Sequence, residues 1–374
     1  MRVLITGAKG FIAKNLQQHL AERSDIELLL ISRDSTRGTF KDALSKAEFV
    51  FHLAGVNRPQ DPDEFRKGNS DLTAWLCEGL AARAKQGDRV PVVLSSSTQA
   101  GLENDYGVSK RRAEAAVFGY GQEFDVPVHV FRLPNVFGKW SRPNYNSVVA
   151  TFCHNITQGL PITVNSPEAP LRLVYVDDVV SRFLQLLDGA LPNLDSEGFD
   201  QVYPQYSTTV GELAEAIKEF RDSRETLVTP KVGVGLTRAL YSTYLSFLRP
   251  EQFSYTIPQH GDARGVFVEM LKTPDSGQFS FFTAHPGITR GGHYHHSKTE
   301  KFLVISGTAR FKFRHMQTGE EYELVTRGDK PEIVETVPGW THDITNIGEN
   351  ELVCMLWANE IFDRDNPDTF ACPL

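Results

Sequence analysis

A chain of 374 residues, 40% hydrophobic and 23% charged, has room for two ordinary domains and is neither a disordered tail nor a fibre. Its 39 Lys and Arg against 47 Asp and Glu leave a formal net charge of -8, which argues against a dedicated nucleic-acid or polybasic membrane binder and favours small-molecule partners. The four cysteines, Cys77, Cys153, Cys354 and Cys372, are scattered without a CxxC, so neither a disulfide framework nor a cysteine zinc knuckle is indicated and a reducing cytoplasm is expected. No apolar run approaches a membrane span, and the opening Val3-Leu4-Ile5 is interrupted at once by Thr6-Gly7, so neither a signal peptide nor an anchor is expected.

From Met1 to about residue 220, short apolar strands at Val3 to Ile5, Leu28 to Ile31, Phe49 to Leu53, Val92 to Leu94 and Val128 to Phe131 alternate with segments of helical period. This order predicts an α/β fold with a doubly wound parallel sheet of Rossmann type. Leu236, Leu240, Tyr244 and Phe247 then recur at helical spacing and stop before Pro250, which predicts a linking helix near 236–248. Beyond it the chain turns to brief alternating strands separated by Gly, Pro and Asp, the pattern of an all-β barrel or jelly roll. The expected division is therefore residues 1–249 and 250–374.

Within the first part, Val3-Leu4-Ile5-Thr6-Gly7-Ala8-Lys9-Gly10-Phe11-Ile12-Ala13 gives a strand, a glycine turn and a helix start in the order that brings backbone N–H groups to a pyrophosphate. Gly7 permits the turn and Gly10 the close approach, while Ala13 stands at the third glycine position. Arg33, at the end of the second strand, occupies the place where NAD-selective enzymes carry an acid, which favours a 2'-phosphate and hence NADPH. Tyr106 and Lys110 are four apart and share a helix face, so the Lys110 ammonium can hold the Tyr106 phenol nearer the working pH and also bind the nicotinamide ribose. Tyr106 would give a proton to a carbonyl oxygen as hydride reaches carbon.

His52-Leu53-Ala54-Gly55, Ser95-Ser96-Ser97, Tyr106-Gly107-Val108-Ser109-Lys110, Arg132 to Gly138 and Tyr175 to Val179 together resemble the extended short-chain dehydrogenases/reductases that act on nucleotide sugars. The resemblance covers roughly residues 1 to 230. It implies Leu53, Ala54 and Gly55 as cofactor-lining residues and Ser97, Tyr106 and Lys110 as the catalytic set. The stretch from the second strand to Phe49 is too short for the usual third strand and helix, so a truncated sheet edge is expected.

In the second part, His293 and His295, two apart on a strand, face one side; Glu300 opens the next strand, and His342 comes from a separate one. Three imidazoles and a carboxylate suit zinc, iron or manganese with a position left open, and zinc, Zn2+, is the expected ion. The spacing resembles both cupin motifs, with Pro338 shifted by one residue in the second. Asp262 to Glu269 and Arg290 to Tyr294 also resemble nucleotide-sugar 3,5-epimerases of the cupin fold, whose residue matching His293 is the catalytic base. His293 is thus ligand, base or neither, and His296 is an alternative to His295 as ligand, a second candidate base or a solvent-facing residue. His315 reads as structural.

Taken in order, with Leu240 to Ser246 between the halves, the whole chain resembles the bifunctional capsular-polysaccharide epimerase-reductases. That resemblance implies a UDP-2-acetamido-2,6-dideoxy-hexos-4-ulose substrate, a UDP-4-keto-6-deoxy-HexNAc, epimerised at C3 in the cupin domain and reduced at C4 with NADPH, in a cytoplasmic homodimer. Two other readings are an SDR reductase fused to a metal-dependent cupin oxygenase, which would consume oxygen, and a non-catalytic NADPH- or sugar-sensing regulator. Intact Ser97, Tyr106 and Lys110 argue against the regulator.

Overall fold

A computed structural model describes the chain except Ser254, His296, Ser297, Gln317, Val337, Pro338, Gly339 and Asn366. The first five strands, β1 (Arg2–Thr6), β2 (Glu27–Ile31), β3 (Phe49–His52), β4 (Val92–Ser97) and β5 (Val128–Leu133), form a parallel sheet in the order β2-β1-β3-β4-β5. Side chains alternate across it. Leu4, Val50, Val92 and Leu94 pack on one face with Leu76, Leu80 and Val117, while Val3, Ile5, Phe51 and Val93 pack on the other with Leu16 and Phe183. Burial on both faces is why these strands read as unbroken apolar runs instead of alternating ones.

The short stretch after β2 has a topological consequence. Helix Arg37–Lys46 carries the chain directly from edge strand β2 to β3 on the far side of β1, so no strand lies outside β2 in this sheet. Three further strands, β6 (Asn135–Phe137), β7 (Pro170–Tyr175) and β8 (Gln205–Thr209), make a small separate sheet. No described helix is long and apolar enough to cross a membrane.

The remaining strands are β9 (His260–Asp262), β10 (Gly265–Thr273), β11 (Gly277–Ala284), β12 (Thr289–Tyr294), β13 (Glu300–Ser306), β14 (Thr308–His315), β15 (Glu321–Arg327), β16 (Ile333–Glu335), β17 (Trp340–Asn346), β18 (Leu352–Ala358) and β19 (Phe370–Ala371). They form two sheets, β16-β13-β18-β11-β10-β9 and β15-β14-β17-β12-β19, whose pairings are antiparallel. Phe282, Phe302, Val304 and Cys354 from one sheet meet Ala309, Phe311, Phe313 and Ile344 from the other in a shared core, the arrangement of an all-β cupin-like sandwich. The chain divides into two compact units, Met1–Ala214 with Ser242–Phe247, and Glu215–Tyr241 with Leu248–Leu374. The division passes through helices Val210–Thr226 and Gly235–Leu245.

Candidate functional site

The glycine turn is built by contact with the strand next door. Gly7 has φ +69, and a Cβ there would lie 2.7 Å from the Ala54 backbone nitrogen, so only glycine lets β1 approach Leu53 and Ala54 this closely. Gly10 donates its N–H to Gly7 O at 2.7 Å and caps helix Phe11–Ala21. Phe11, Ile12, Leu53, Ala54 and Gly55 then line one cleft together with Ser97, Tyr106 and Lys110. Arg33 is exposed beyond β2, next to Asp34, which pairs with Lys9.

The catalytic candidates come from two elements. Ser97 ends β4, and helix Asp105–Phe124, capped by the Asn104 side chain on Gly107 N at 2.7 Å, carries Tyr106 and Lys110. The Tyr106 phenol is raised above its ordinary value by burial, with a hydrogen bond to Ser97 opposing. It is therefore a protonated donor. Lys110 is buried, its value pushed down to about 8 by burial against the opposing charge of Glu114, and it donates to Ser95 O at 2.7 Å. The expected lowering of the phenol by Lys110 is absent from this geometry, because burial dominates Tyr106 and the Lys110 ammonium is bonded to a backbone carbonyl.

The cleft measures about 1620 Å3. That exceeds the roughly 300–1,000 Å3 of a site for one small ligand, so a dinucleotide and a second molecule fit together. Its lining includes Arg58, Arg142 and Tyr145, which the motifs did not single out. The two guanidinium groups flank the Tyr145 ring at 5.5 and 5.0 Å, and Arg58 Nε donates to Asn146 Oδ1 at 2.7 Å. Arg58 follows the His52 to Gly55 motif closely, which was a local signal; Arg142 and Tyr145 had none.

In the second unit, one ligand atom each from His293, His295, Glu300 and His342 lies within 4.8 Å of the others. Antiparallel pairing brings them together: His293 on β12 stands opposite His342 on β17, after a bulge between Gly291 and His293. His295, Glu300 and His342 are buried, and burial together with the neighbouring His342 pushes His293 down to about 4, leaving a neutral imidazole near pH 7. Burial opposes ionisation of Glu300, yet the neighbouring His295 and His342 rings and the nearby Lys298 charge hold its carboxyl well below the usual range.

The hydrogen bonds test whether a cation fits. His295 Nδ1 lies 2.7 Å from Asp368 O, and a carbonyl only accepts, so Nδ1 bears the proton. In the neutral ring Nε2 then turns a lone pair toward Glu300 Oε2 at 3.2 Å. His342 Nε2 stands 3.5 Å from the same oxygen, and neither of its ring nitrogens has a hydrogen-bond partner among the described residues. Buried acceptors converging on one point are what a transition-metal cation satisfies. His296 lies outside the described residues. His315 packs its ring edge-on to Trp340 at 4.9 Å, away from this constellation in role and partner.

Residues 3–193 match the NAD dependent epimerase/dehydratase family, and residues 260–370 match the polysaccharide biosynthesis C-terminal domain. A UDP-2-acetamido-2,6-beta-L-arabino-hexul-4-ose reductase of Pseudomonas aeruginosa is 60% identical over 100% of this chain and 98% of that protein. Among solved structures, the capsular polysaccharide assembling protein CapF from Staphylococcus aureus superposes with a TM-score of 0.91 at 40% identity, covering 100% of both chains. UDP-glucuronic acid decarboxylase 5 of Arabidopsis thaliana is 24% identical over 59% of this chain and 74% of its own length.

Proposed function

The chain belongs to the NAD dependent epimerase/dehydratase family and, along its whole length, to the bifunctional capsular-polysaccharide epimerase-reductases, and from that membership we propose a two-step conversion of a UDP-2-acetamido-2,6-dideoxy-hexos-4-ulose. Residues 250–374 epimerise C3. Residues 1–249 then reduce the C4 ketone with NADPH to a UDP-2-acetamido-2,6-dideoxy-L-talose, the precursor of UDP-N-acetyl-L-fucosamine, in a cytoplasmic homodimer. The observation that carries this reading is the presence on one chain of a reductase cleft lined by Ser97, Tyr106 and Lys110 and a separate buried cluster of His293, His295, Glu300 and His342.

The order of steps follows from the substrate. A 4-ketone acidifies the C3 proton because the resulting carbanion delocalises onto oxygen, and reduction destroys that ketone. Epimerisation therefore comes first and reduction traps its product. In the cleft, NADPH when bound supplies the hydride. Tyr106, kept protonated by burial, donates a proton to the ketone oxygen, and Ser97 holds the same oxygen by a hydrogen bond. Lys110 serves the nicotinamide ribose, and Arg58 and Arg142 offer cationic partners to the substrate diphosphate. In the second unit His293, His295, Glu300 and His342 would hold zinc, which when bound would supply Lewis acidity toward a ketone oxygen. His293 is either the fourth of these ligands or, with the ion held by His295, Glu300 and His342, the base that takes the C3 proton.

Incubation with a UDP-4-keto-6-deoxy-HexNAc in deuterated water tests the proposal. Deuterium should enter C3 without any cofactor, and NADPH should then be oxidised as a C3-deuterated alcohol forms. Exchange that requires NADPH, or reduction without exchange, overturns the two-step reading.

A further inference from the structure

Residues 368–373 contribute no side chain to the histidine cluster, yet they are bonded to the backbone stretches that do. Asp368 O accepts from His295 Nδ1 at 2.7 Å, and Asp368 Oδ2 accepts from Lys298 N at 2.8 Å, two residues before Glu300. Phe370 and Ala371 pair antiparallel with Tyr294 and His293, and the Phe370 ring stacks on Tyr294 at 5.4 Å. Cys372 N donates to Gly292 O at 2.8 Å, just before His293. Cys372 O accepts from the hydroxyl of Thr341, the neighbour of His342.

We infer that this segment is a strap that positions the metal ligands, with the Asp368 carbonyl as the group that fixes His295. The inference rests on the metal reading above. A neutral imidazole can place its proton on either nitrogen and can turn about its side-chain bonds. A carbonyl on Nδ1 removes both freedoms: it selects the Nδ1–H tautomer and aims the Nε2 lone pair at the point shared with Glu300 and His342. Asp368 itself has φ +34, a left-handed conformation that Asp and Asn tolerate and that proline cannot adopt. Its side chain latches the strap to Lys298 N, and β19 pairing holds it along β12. His293, His295, Glu300 and His342 thus depend on a segment that supplies none of them.

The test is metal affinity, measured by competition of the purified chain with a chromophoric chelator for zinc, and by the visible spectrum of the cobalt-substituted protein. Asp368→Pro displaces the carbonyl; a chain ending after Pro367 removes the whole strap; Asp368→Asn keeps the backbone conformation and a side-chain acceptor. Losing an outer partner of a metal-bound histidine typically costs about 10- to 100-fold in affinity. Asp368→Pro and the shortened chain should weaken zinc by that factor and alter the cobalt bands, with NADPH affinity unchanged, whereas Asp368→Asn should keep both metal signatures. Wild-type affinity and spectrum in Asp368→Pro, or in the shortened chain should Asp368→Pro fail to fold, overturn the inference. Equal loss in Asp368→Asn and Asp368→Pro overturns the role of the carbonyl. An intact chain that binds neither zinc nor cobalt overturns the metal reading itself, a result distinct from the others.

Discussion

Thr6 Oγ1 and His52 Nδ1 lie 2.6 Å apart at the buried ends of the neighbouring strands β1 and β3. Thr73 Oγ1 donates its only proton to Asn69 O at 2.7 Å, so it accepts from His52 Nε2–H at 2.8 Å. In the neutral ring Nδ1 then accepts from the Thr6 hydroxyl, whose oxygen also accepts from Ala54 N at 3.2 Å. Burial and the Lys110 charge push His52 down to about 3, so this ring is neutral and the chain of donors is fixed. It secures Ala54 against Gly7, the contact on which the cofactor turn depends.

Substitution His52→Leu stays close to the imidazole in volume and removes two bonds: the buried Thr6 hydroxyl proton loses its acceptor, while Thr73 still donates to Asn69 O. The stranded Thr6 donor costs roughly 1–3 kcal/mol. A lower melting temperature and weaker NADPH binding are expected together. Calorimetry and fluorescence titration that find both unchanged would show that the relay holds nothing in place.

Lys110 predicts an alkaline limit. With its value near 8, the ammonium is charged below that pH and lost above it, while an exposed lysine would stay charged well beyond. An anionic cofactor favours the charged form, so the NADPH dissociation constant should be flat near pH 7 and rise as pH climbs past about 8. Lys110→Arg keeps its charge and should flatten that limb. A titration series in which wild type and Lys110→Arg rise alike would remove Lys110 from cofactor binding.

Arg33 predicts cofactor choice. It stands exposed at the end of β2, free to reach a 2'-phosphate, and Asp34 beside it is engaged by Lys9. NADPH should be preferred to NADH, and Arg33→Ala should narrow the gap by weakening NADPH alone. Equal turnover of both cofactors by the unaltered protein would sink this assignment.

Local chemistry was legible in the residues. Apolar runs, the Gly7 turn and the short stretch after β2 foretold a parallel sheet with a truncated edge, and alternating strands with His293, His295, Glu300 and His342 foretold the second fold and its cluster. What escaped was work done by backbone or by distant residues. Asp368 acts on His295 through a carbonyl that every residue type possesses, and Arg142 reaches the cleft from a loop with no motif. The electrostatics of Tyr106 also escaped, because burial is a property of packing that a four-residue spacing does not encode.

The last prediction separates the two chemistries on one chain. Tyr106→Phe removes the proton donor from the cleft and leaves the second unit's cluster untouched, so NADPH oxidation should fall by a factor of at least about 100. Deuterium should still enter C3, and the epimerised ketone should accumulate. His342→Ala deletes a ligand candidate whose ring nitrogens have no other hydrogen-bond partner among the described residues, so it should lower zinc content and C3 exchange together while NADPH binding is retained. His293→Ala should lose exchange whether that ring binds metal or proton, but only a ligand role lowers zinc content with it. Mass spectrometry of the sugar nucleotide and metal analysis of the same preparations read all three variants. If Tyr106→Phe eliminated exchange, epimerisation would belong to the reductase cleft; if His342→Ala left both zinc and exchange intact, the cluster would be no metal centre.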